Sequence, residues 1–360
     1  MRTANLYGLQ ELCEIFLQQG VFAYEKVHFA NQMLIKSRCF HIFDGGACHW
    51  PGVNRMLESR PRSTPAITAS LTSGLSMFAL PWIAIFLAAP ATWASTFRWL
   101  GLGLLVTGYG TALTTGQLGP LASVAIALLG VAAYAVSPDR QRYVRYAGHL
   151  LFVALAVALS MHWLPGFHNP RVIGPVHFTP DAVPFTMYLN FDKPLIGFWL
   201  LLALPWIRPP HGLRTWLLAG VAAWLITVAA CMAVALSLGL VGWAPKRPAD
   251  SLLWLANNLF LVTLTEEALF RGYLQGGLTR LFARWKRADV LALCVAAALF
   301  GLAHSAGGWQ WIVLGSVAGI GYGLAYRFGG LSAAVLAHFG LNVVHFFFFT
   351  YPMLQPAGKL

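Results

Sequence analysis

Two adjacent glutamates, Glu266 and Glu267, stand inside an otherwise apolar stretch that also contains Arg271, and they are the only glutamates after Glu58. A carboxylate at bilayer depth costs at least about 2.5 to 3.5 kcal/mol, so an acid retained there is expected to have a function. On a helix, Glu267 and Arg271 lie four residues apart and can pair, whereas Glu266 points about 100 degrees away. The spacing therefore predicts that Glu267 is neutralised and that Glu266 remains free for acid–base chemistry.

Two further apolar stretches carry polar side chains at helical spacing. One contains Phe300 and His304, and the next contains His338, Asn342 and His345. The last three residues are four and three apart, so they form one polar stripe that must face the bundle interior. Taken singly, a histidine can be a structural hydrogen-bonding residue, an ion pair can lock two helices, and an asparagine can join helices. Taken together, they predict a hydrolytic site.

The chemistry expected of these side chains is hydrolysis of a peptide bond. Glu266, acting with His304, can take a proton from a water molecule and later deliver it to the leaving amine. Negative charge then develops on the carbonyl oxygen that the water attacks, and His338 with the Asn342 amide can donate hydrogen bonds to it.

Three short motifs in this region resemble those of the CAAX protease and bacteriocin-processing family of intramembrane endopeptidases, which includes the Ras-converting enzymes. The resemblance covers about residues 250 to 350, and the motifs occur in the family's order on consecutive predicted helices. They read Glu266-Glu267-Ala-Leu-Phe-Arg271-Gly272, Phe300-Gly-Leu-Ala-His304 and His338-Phe-Gly-Leu-Asn342.

The resemblance implies a glutamate-dependent protease that needs no cofactor and acts on a membrane-embedded or lipidated peptide. It assigns water activation to Glu266 and His304, and the oxyanion site to His338 and Asn342. Supporting roles fall to Glu267, Arg271 and Phe300. In the alternative mechanism, Glu266, His304 and His338 hold a zinc ion.

Other kinds of membrane protein are less consistent with the chain. It has no H-E-x-x-H zinc helix and no G-x-S-G serine motif, and none of its six aspartates lies in a confident span. A transporter is the main rival, but it would tend to show polar or broken helices in both halves. A non-catalytic bacteriocin-immunity protein on the same scaffold is the third alternative, and the intact motifs argue against it.

The composition is that of a polytopic membrane protein. The 360 residues are 58% hydrophobic and only 10% charged, with 24 Lys plus Arg against 12 Asp plus Glu. The basic residues form short clusters between apolar runs, which marks cytoplasmic loops and not a nucleic-acid surface. The nearly uncharged opposite loops suggest a bacterial inner membrane.

Successive apolar runs predict an all-α bundle with about eight to ten spans. The runs are 71–89, 97–115, 118–137, 143–164, 186–206, 215–241, 250–275, 289–305, 309–328 and 331–350. We predict a leader-like or poorly ordered segment over 1–66, accessory helices over 67–245, a catalytic core over 246–350 and a tail over 351–360. Gly315, Gly319 and Gly323 recur every four residues and predict a close helix contact.

The predicted spans raise one geometric problem. If each run from residue 289 onward crosses completely, His304 and His338 lie at opposite ends of their helices. We therefore expect breaks at the Gly307–Gly308 and Gly329–Gly330 pairs, as deep turns that line a water-filled cavity.

Overall fold

The computed structural model describes residues 65–208 and 211–355, so almost all of the predicted N-terminal segment 1–66 and the last part of the tail 351–360 lie outside the described residues. The described residues are mostly helical. In order, the described helices are α1 (Pro65–Trp93), α2 (Arg98–Thr114), α3 (Ala122–Ala135), α4 (Arg142–Ser160), α5 (Lys193–Ala203), α6 (Leu213–Ser237), α7 (five segments, given below), α8 (Ala288–Leu302) and α9 (Trp309–Phe348).

Three of the described helices, α4, α6 and α9, are long and apolar enough to cross a membrane. Most of the other described helices are apolar but shorter. The outward faces of the described helices carry many large apolar side chains, including Leu225 and Ile226 on α6. Such faces suit contact with lipid. The chain is therefore an integral membrane protein, while the count of eight to ten spans stays a prediction.

The connection before α5 differs from the predicted all-α class. The apolar run predicted over 186–206 begins as a strand, since β1 (Arg171–Val176) and β2 (Phe185–Tyr188) form an antiparallel hairpin. Helix α5 starts only at Lys193, whose backbone N–H donates to the Asp192 carboxylate at 2.9 Å. The aromatic residues of Phe185–Tyr188 favour a strand, and the Asp192 cap fixes where the helix begins.

Helix α7 carries both glutamates and is not a uniform α-helix. A short α-helical segment holds the glutamates between two π-helical segments, each of which shifts the side-chain register. The five segments are Ser251–Ala256 (α), Asn257–Thr263 (π), Leu264–Glu267 (α), Ala268–Gln275 (π) and Gly276–Leu281 (α).

Both predicted glycine breaks are confirmed. After α8, a 3₁₀ turn at Ser305–Gly307 leads to Gly308, whose φ is 90°. Helix α9 is broken at Gly330, whose φ is 72° and ψ is −166°. A residue with a side chain is strained at such positive φ values.

The break folds the two halves of α9 alongside each other. Before it, the position of a Cβ at Gly321 lies 1.9 Å from Thr227 Oγ1 of α6. After it, the Cβ position of Gly340 lies 2.5 Å from Trp224 Cδ1 of the same helix. Both halves therefore pack beside one stretch of α6, which brings His338 back to the level of His304. Neither glycine pair lines the cavity described below, so that part of the expectation was wrong.

The glycine stripe on α9 sets the close approach of α8. A Cβ at Gly319 would lie 2.9 Å from Ala297 Cα, and a Cβ at Gly315 would lie 3.0 Å from Gly301 Cα. Contacts this short leave no room for a side chain. The predicted packing role is confirmed, and it places the C-terminal end of α8, with His304, directly against α9.

Candidate active site

A fully buried ion pair forms the base of the site. Arg271 Nη1 donates to Glu267 Oε1 at 2.9 Å, and neither side chain is exposed. Arg271 Nη2 donates to the Gly319 carbonyl at 3.3 Å, and the guanidinium carbon lies 4.3 Å from the Phe300 ring centre. A buried charge is tolerated when it is paired and hydrogen-bonded. The predicted pairing of Glu267 with Arg271 is confirmed, and it joins α7, α8 and α9.

His338 is held in one orientation by several contacts. Its Nδ1 lies 2.7 Å from Glu267 Oε1, and its Nε2 lies 3.9 Å from Glu266 Oε2. The Tyr322 ring stacks on the imidazole at 4.5 Å with an interplanar angle of 11°, and Phe300 meets it edge-on at 5.7 Å. Because the carboxylate can only accept, Nδ1 carries a proton that it donates to Glu267. The imidazole is therefore hydrogen-bonded to Glu267 and has Glu266 nearby on its other side.

His304 follows the last turn of α8. Its Nδ1 lies 2.8 Å from the Phe300 carbonyl oxygen, which can only accept, so Nδ1 carries the proton in the neutral ring. The Nε2 lone pair is then the basic atom. The Phe300 ring also contacts the imidazole at 4.7 Å, so Phe300 orients this histidine through both its backbone and its side chain.

Asn342 is oriented by a residue that sequence reasoning missed. Its Nδ2 donates to Asn258 Oδ1 at 3.2 Å, which occupies one of its two N–H groups. Asn258 lies in the first π-helical segment of α7. The signal available in the sequence was an Asn-Asn pair, Asn257 and Asn258, within an apolar run. Tyr322 was also missed, and the sequence offered no signal for it, because one aromatic residue on an apolar helix is not unusual.

A cavity of about 100 Å³ brings the two histidines and the amide together. His304, His338, Asn342 and His345 line it, so the predicted stripe of α9 does face the interior. The remaining lining is mainly apolar and comes from α6, α8, α9 and residues 240–241. Glu266 is not part of that lining. Its side chain is 35% exposed, and it meets the site through His338.

The zinc alternative is not supported by the arrangement of donors. Among the described residues, no three His, Cys, Asp or Glu side chains are grouped as a metal site. The Nδ1 atoms of His304 and His338 are both engaged, one by a carbonyl and the other by Glu267, which leaves the Nε2 atoms as the ring nitrogens that could bind a metal. The proposed zinc ligands are therefore not preassembled as a metal site in the described residues, and zinc stays an alternative mechanism.

One of three comparisons with known proteins gives a match. Residues 248–344 match the model of a family described as type II CAAX prenyl endopeptidase Rce1-like. No curated protein and no solved structure matches the chain significantly. The matched region contains all three motifs, while His345 and the part of the cavity lining that comes from α6 and residues 240–241 lie outside it. Over residues 248–344, the chain is therefore similar to the CAAX protease family that its motifs resemble.

Proposed function

We propose that this protein is an intramembrane endopeptidase that hydrolyses a peptide bond of a membrane-associated or lipid-modified peptide. The observation that carries the proposal is the convergence of His304, His338 and Asn342 on one cavity, with Glu266 beside His338. These side chains come from α7, from the turn that follows α8, and from α9. An apolar helix bundle that needed only stability would gain little from placing them together.

Water activation falls to His304 and Glu266. His304 lines the cavity, and its Nδ1 is fixed by the Phe300 carbonyl. Nε2, which carries the lone pair, is therefore the atom proposed to act as the base. It takes one proton from water as the hydroxyl oxygen bonds to the substrate carbonyl carbon. Glu266 lies outside the cavity lining and meets the site through His338, so its proposed part in the proton transfer runs by way of that imidazole. The proton goes to the leaving amine as the carbon–nitrogen bond breaks.

Stabilisation of the oxyanion falls to His338 and Asn342. One Asn342 N–H is occupied by Asn258, and the second remains available for the substrate oxygen. His338 donates through Nε2 only when its ring carries both protons, because Nδ1–H is directed at Glu267. Glu267 and Arg271 thus act as positioning residues for His338.

The test is cleavage of a fluorogenic, membrane-tethered peptide by the purified protein and a His304→Gln variant. Loss of a general base typically costs on the order of 10²- to 10⁴-fold in rate. We expect a loss in that range with the folded state unchanged, and cleavage by the wild type that persists in the presence of a chelator. Unchanged cleavage by the variant would exclude His304 as the base. Loss with chelator alone would restore the zinc mechanism.

Two alternatives make different predictions in the same preparation. A transporter would cleave nothing and would instead move a solute into vesicles that contain it. A bacteriocin-immunity protein would bind a peptide without cleaving it. We favour the protease because the polar side chains form a closed constellation around one cavity, where a transport path would need polar groups along its whole length. We further propose a bacterial inner-membrane location with eight to ten spans.

A further inference from the structure

A second cavity lies at the C-terminal end of α9, outside the proposed active site. It has a volume of about 670 Å³ and is lined by Pro245, Lys246, Arg247, Phe347 and Phe348. These residues define what we call the basic cleft. None of them belongs to the three motifs, and none lines the cavity that contains the histidines.

The backbone of the basic cleft is fixed on both sides. Ala244 N–H donates to the Phe348 carbonyl at 2.9 Å, and Lys246 N–H donates to the Phe347 carbonyl at 2.8 Å. Thr350 N–H donates to the Gly242 carbonyl at 2.8 Å. The 242–246 connection and the 347–350 segment therefore form a paired, strand-like rim, and the cleft is a defined feature of the fold.

No ion pair among the described residues neutralises the two basic side chains of the cleft, Lys246 and Arg247. The Lys246 ammonium donates to the carbonyl oxygens of Ala244 and Phe349, which leaves it one further N–H. Burial lowers the pKa of Lys246 to about 8, and the charge of Asp181 opposes that shift. Arg247 is exposed and makes no described contact.

The apolar walls place this charge at a membrane boundary. Trp243 is 67% exposed and Phe348 is 43% exposed, and their rings stack with centroids 5.8 Å apart. Both lie where the apolar helix α9 ends. Exposed tryptophan at the end of a spanning helix is typical of the interface between hydrocarbon and headgroups. The cleft thus presents cations on one side and lipid-facing rings on the other.

We propose that the basic cleft binds the phosphate of an anionic phospholipid, whose acyl chains lie against Phe347 and Phe348. Lys246 and Arg247 supply the donors for the phosphate oxygens, and the aromatic wall selects a ligand that carries an apolar tail. Basic pockets beside spanning helices bind anionic headgroups in this way. Gly242 belongs to the rim of the cleft, and the preceding residue, Val241, lines the active-site cavity. A bound lipid would therefore also stabilise a segment that borders that cavity.

The test is lipid binding by the purified full chain, measured by native mass spectrometry with added phosphatidylglycerol or phosphatidylcholine of identical acyl chains. We expect retained phosphatidylglycerol in preference to phosphatidylcholine. Arg247→Gln should weaken that binding roughly fivefold, since a basic residue near an anionic lipid contributes on the order of 1 kcal/mol. Arg171→Gln, which removes an exposed arginine from β1, is the matched control and should bind as the wild type does.

Three results would overturn the proposal. Equal retention of the two lipids, or unchanged binding by Arg247→Gln, would show that the cleft does not select the anionic headgroup. Displacement of phosphatidylglycerol by inorganic phosphate at the same concentration would show that the apolar wall contributes nothing to lipid binding. Because lipid binding needs no turnover, these outcomes are independent of the proposed protease activity.

Discussion

Replacing Arg271 with Met should be among the most destabilising single changes in the catalytic core. The substitution leaves the Glu267 carboxylate buried, with no exposed surface and no cation beside it. Breaking a buried ion pair by removing one partner costs about 3 to 5 kcal/mol. The cation also lies over the Phe300 ring at 4.3 Å, an interaction worth up to about 2 kcal/mol when desolvated. We therefore expect a loss in unfolding free energy of at least about 3 kcal/mol.

The chain offers a matched control for this measurement. Arg327 pairs with Asp289 at 2.5 Å, but their side chains are 37% and 36% exposed. An ion pair open to solvent contributes about 0 to 1 kcal/mol, so Arg327→Met should cost no more than that. Reversible unfolding in mixed micelles would give both free energies of unfolding on the same scale.

A double variant separates pairing from packing. Glu267→Gln added to Arg271→Met removes the uncompensated charge, while the amide oxygen can still accept from His338 Nδ1. We expect the double variant to regain most of the stability that Arg271→Met loses, since a neutral replacement of a buried pair is often tolerated. A cost for Arg271→Met as small as that of Arg327→Met, or a double variant less stable than both single variants, would refute the claim that the pair is buried and compensated.

Three further predictions concern how the site is positioned. Gly319→Ala places a Cβ 2.9 Å from the α8 backbone, so it should lower the free energy of unfolding by about 1 to 3 kcal/mol, measured by thermal unfolding. In the control, Gly103→Ala, the new Cβ meets nothing within 4 Å, and the free energy of unfolding should rise by about 0.5 to 1 kcal/mol. Asn258→Ala frees the Asn342 amide and should lower kcat roughly fivefold with KM unchanged, since one hydrogen bond contributes about 1 kcal/mol. Tyr322→Leu removes the ring that stacks on the His338 imidazole and should lower kcat. Tyr322→Phe keeps the ring and should leave kcat unchanged.

Each of these predictions has a distinct negative result. Equal stability of the two glycine variants would show that α8 does not depend on the glycine stripe. A change in KM alone for Asn258→Ala would place that residue in substrate binding. Equal activity of Tyr322→Leu and Tyr322→Phe would show that ring stacking does not orient the histidine.

The proposed site was predictable because its residues are chemically out of place. An acid, two imidazoles and an amide in apolar helices are each costly at membrane depth, so their spacing carries information that an apolar sequence otherwise lacks. The pairing of Glu267 with Arg271 followed from the helical period alone. The break at Gly330 followed from a geometric conflict between two spans.

Other features depend on tertiary structure and left little trace in the chain. The two π-helical segments of α7 change the register around the glutamates, and no local pattern distinguishes them from α-helix. The β-hairpin at Arg171–Val176 and Phe185–Tyr188 was not predicted, and its second strand overlaps the start of the apolar run 186–206 that was predicted to span. Tyr322 is recognisable only from its contact with His338, which lies in the other half of α9.

The most direct test of the account is cleavage of a membrane-tethered peptide by a Glu266→Gln variant, with Asp139→Asn as the control that removes an exposed carboxyl group from a loop. Glu266 lies beside His338 but outside the buried ion pair, so its replacement should leave the fold intact. The account predicts that Asp139→Asn cleaves as the wild type does, and that Glu266→Gln loses about 10²-fold or more in kcat. Equal cleavage by the two variants would contradict a carboxylate-assisted water and with it the central claim.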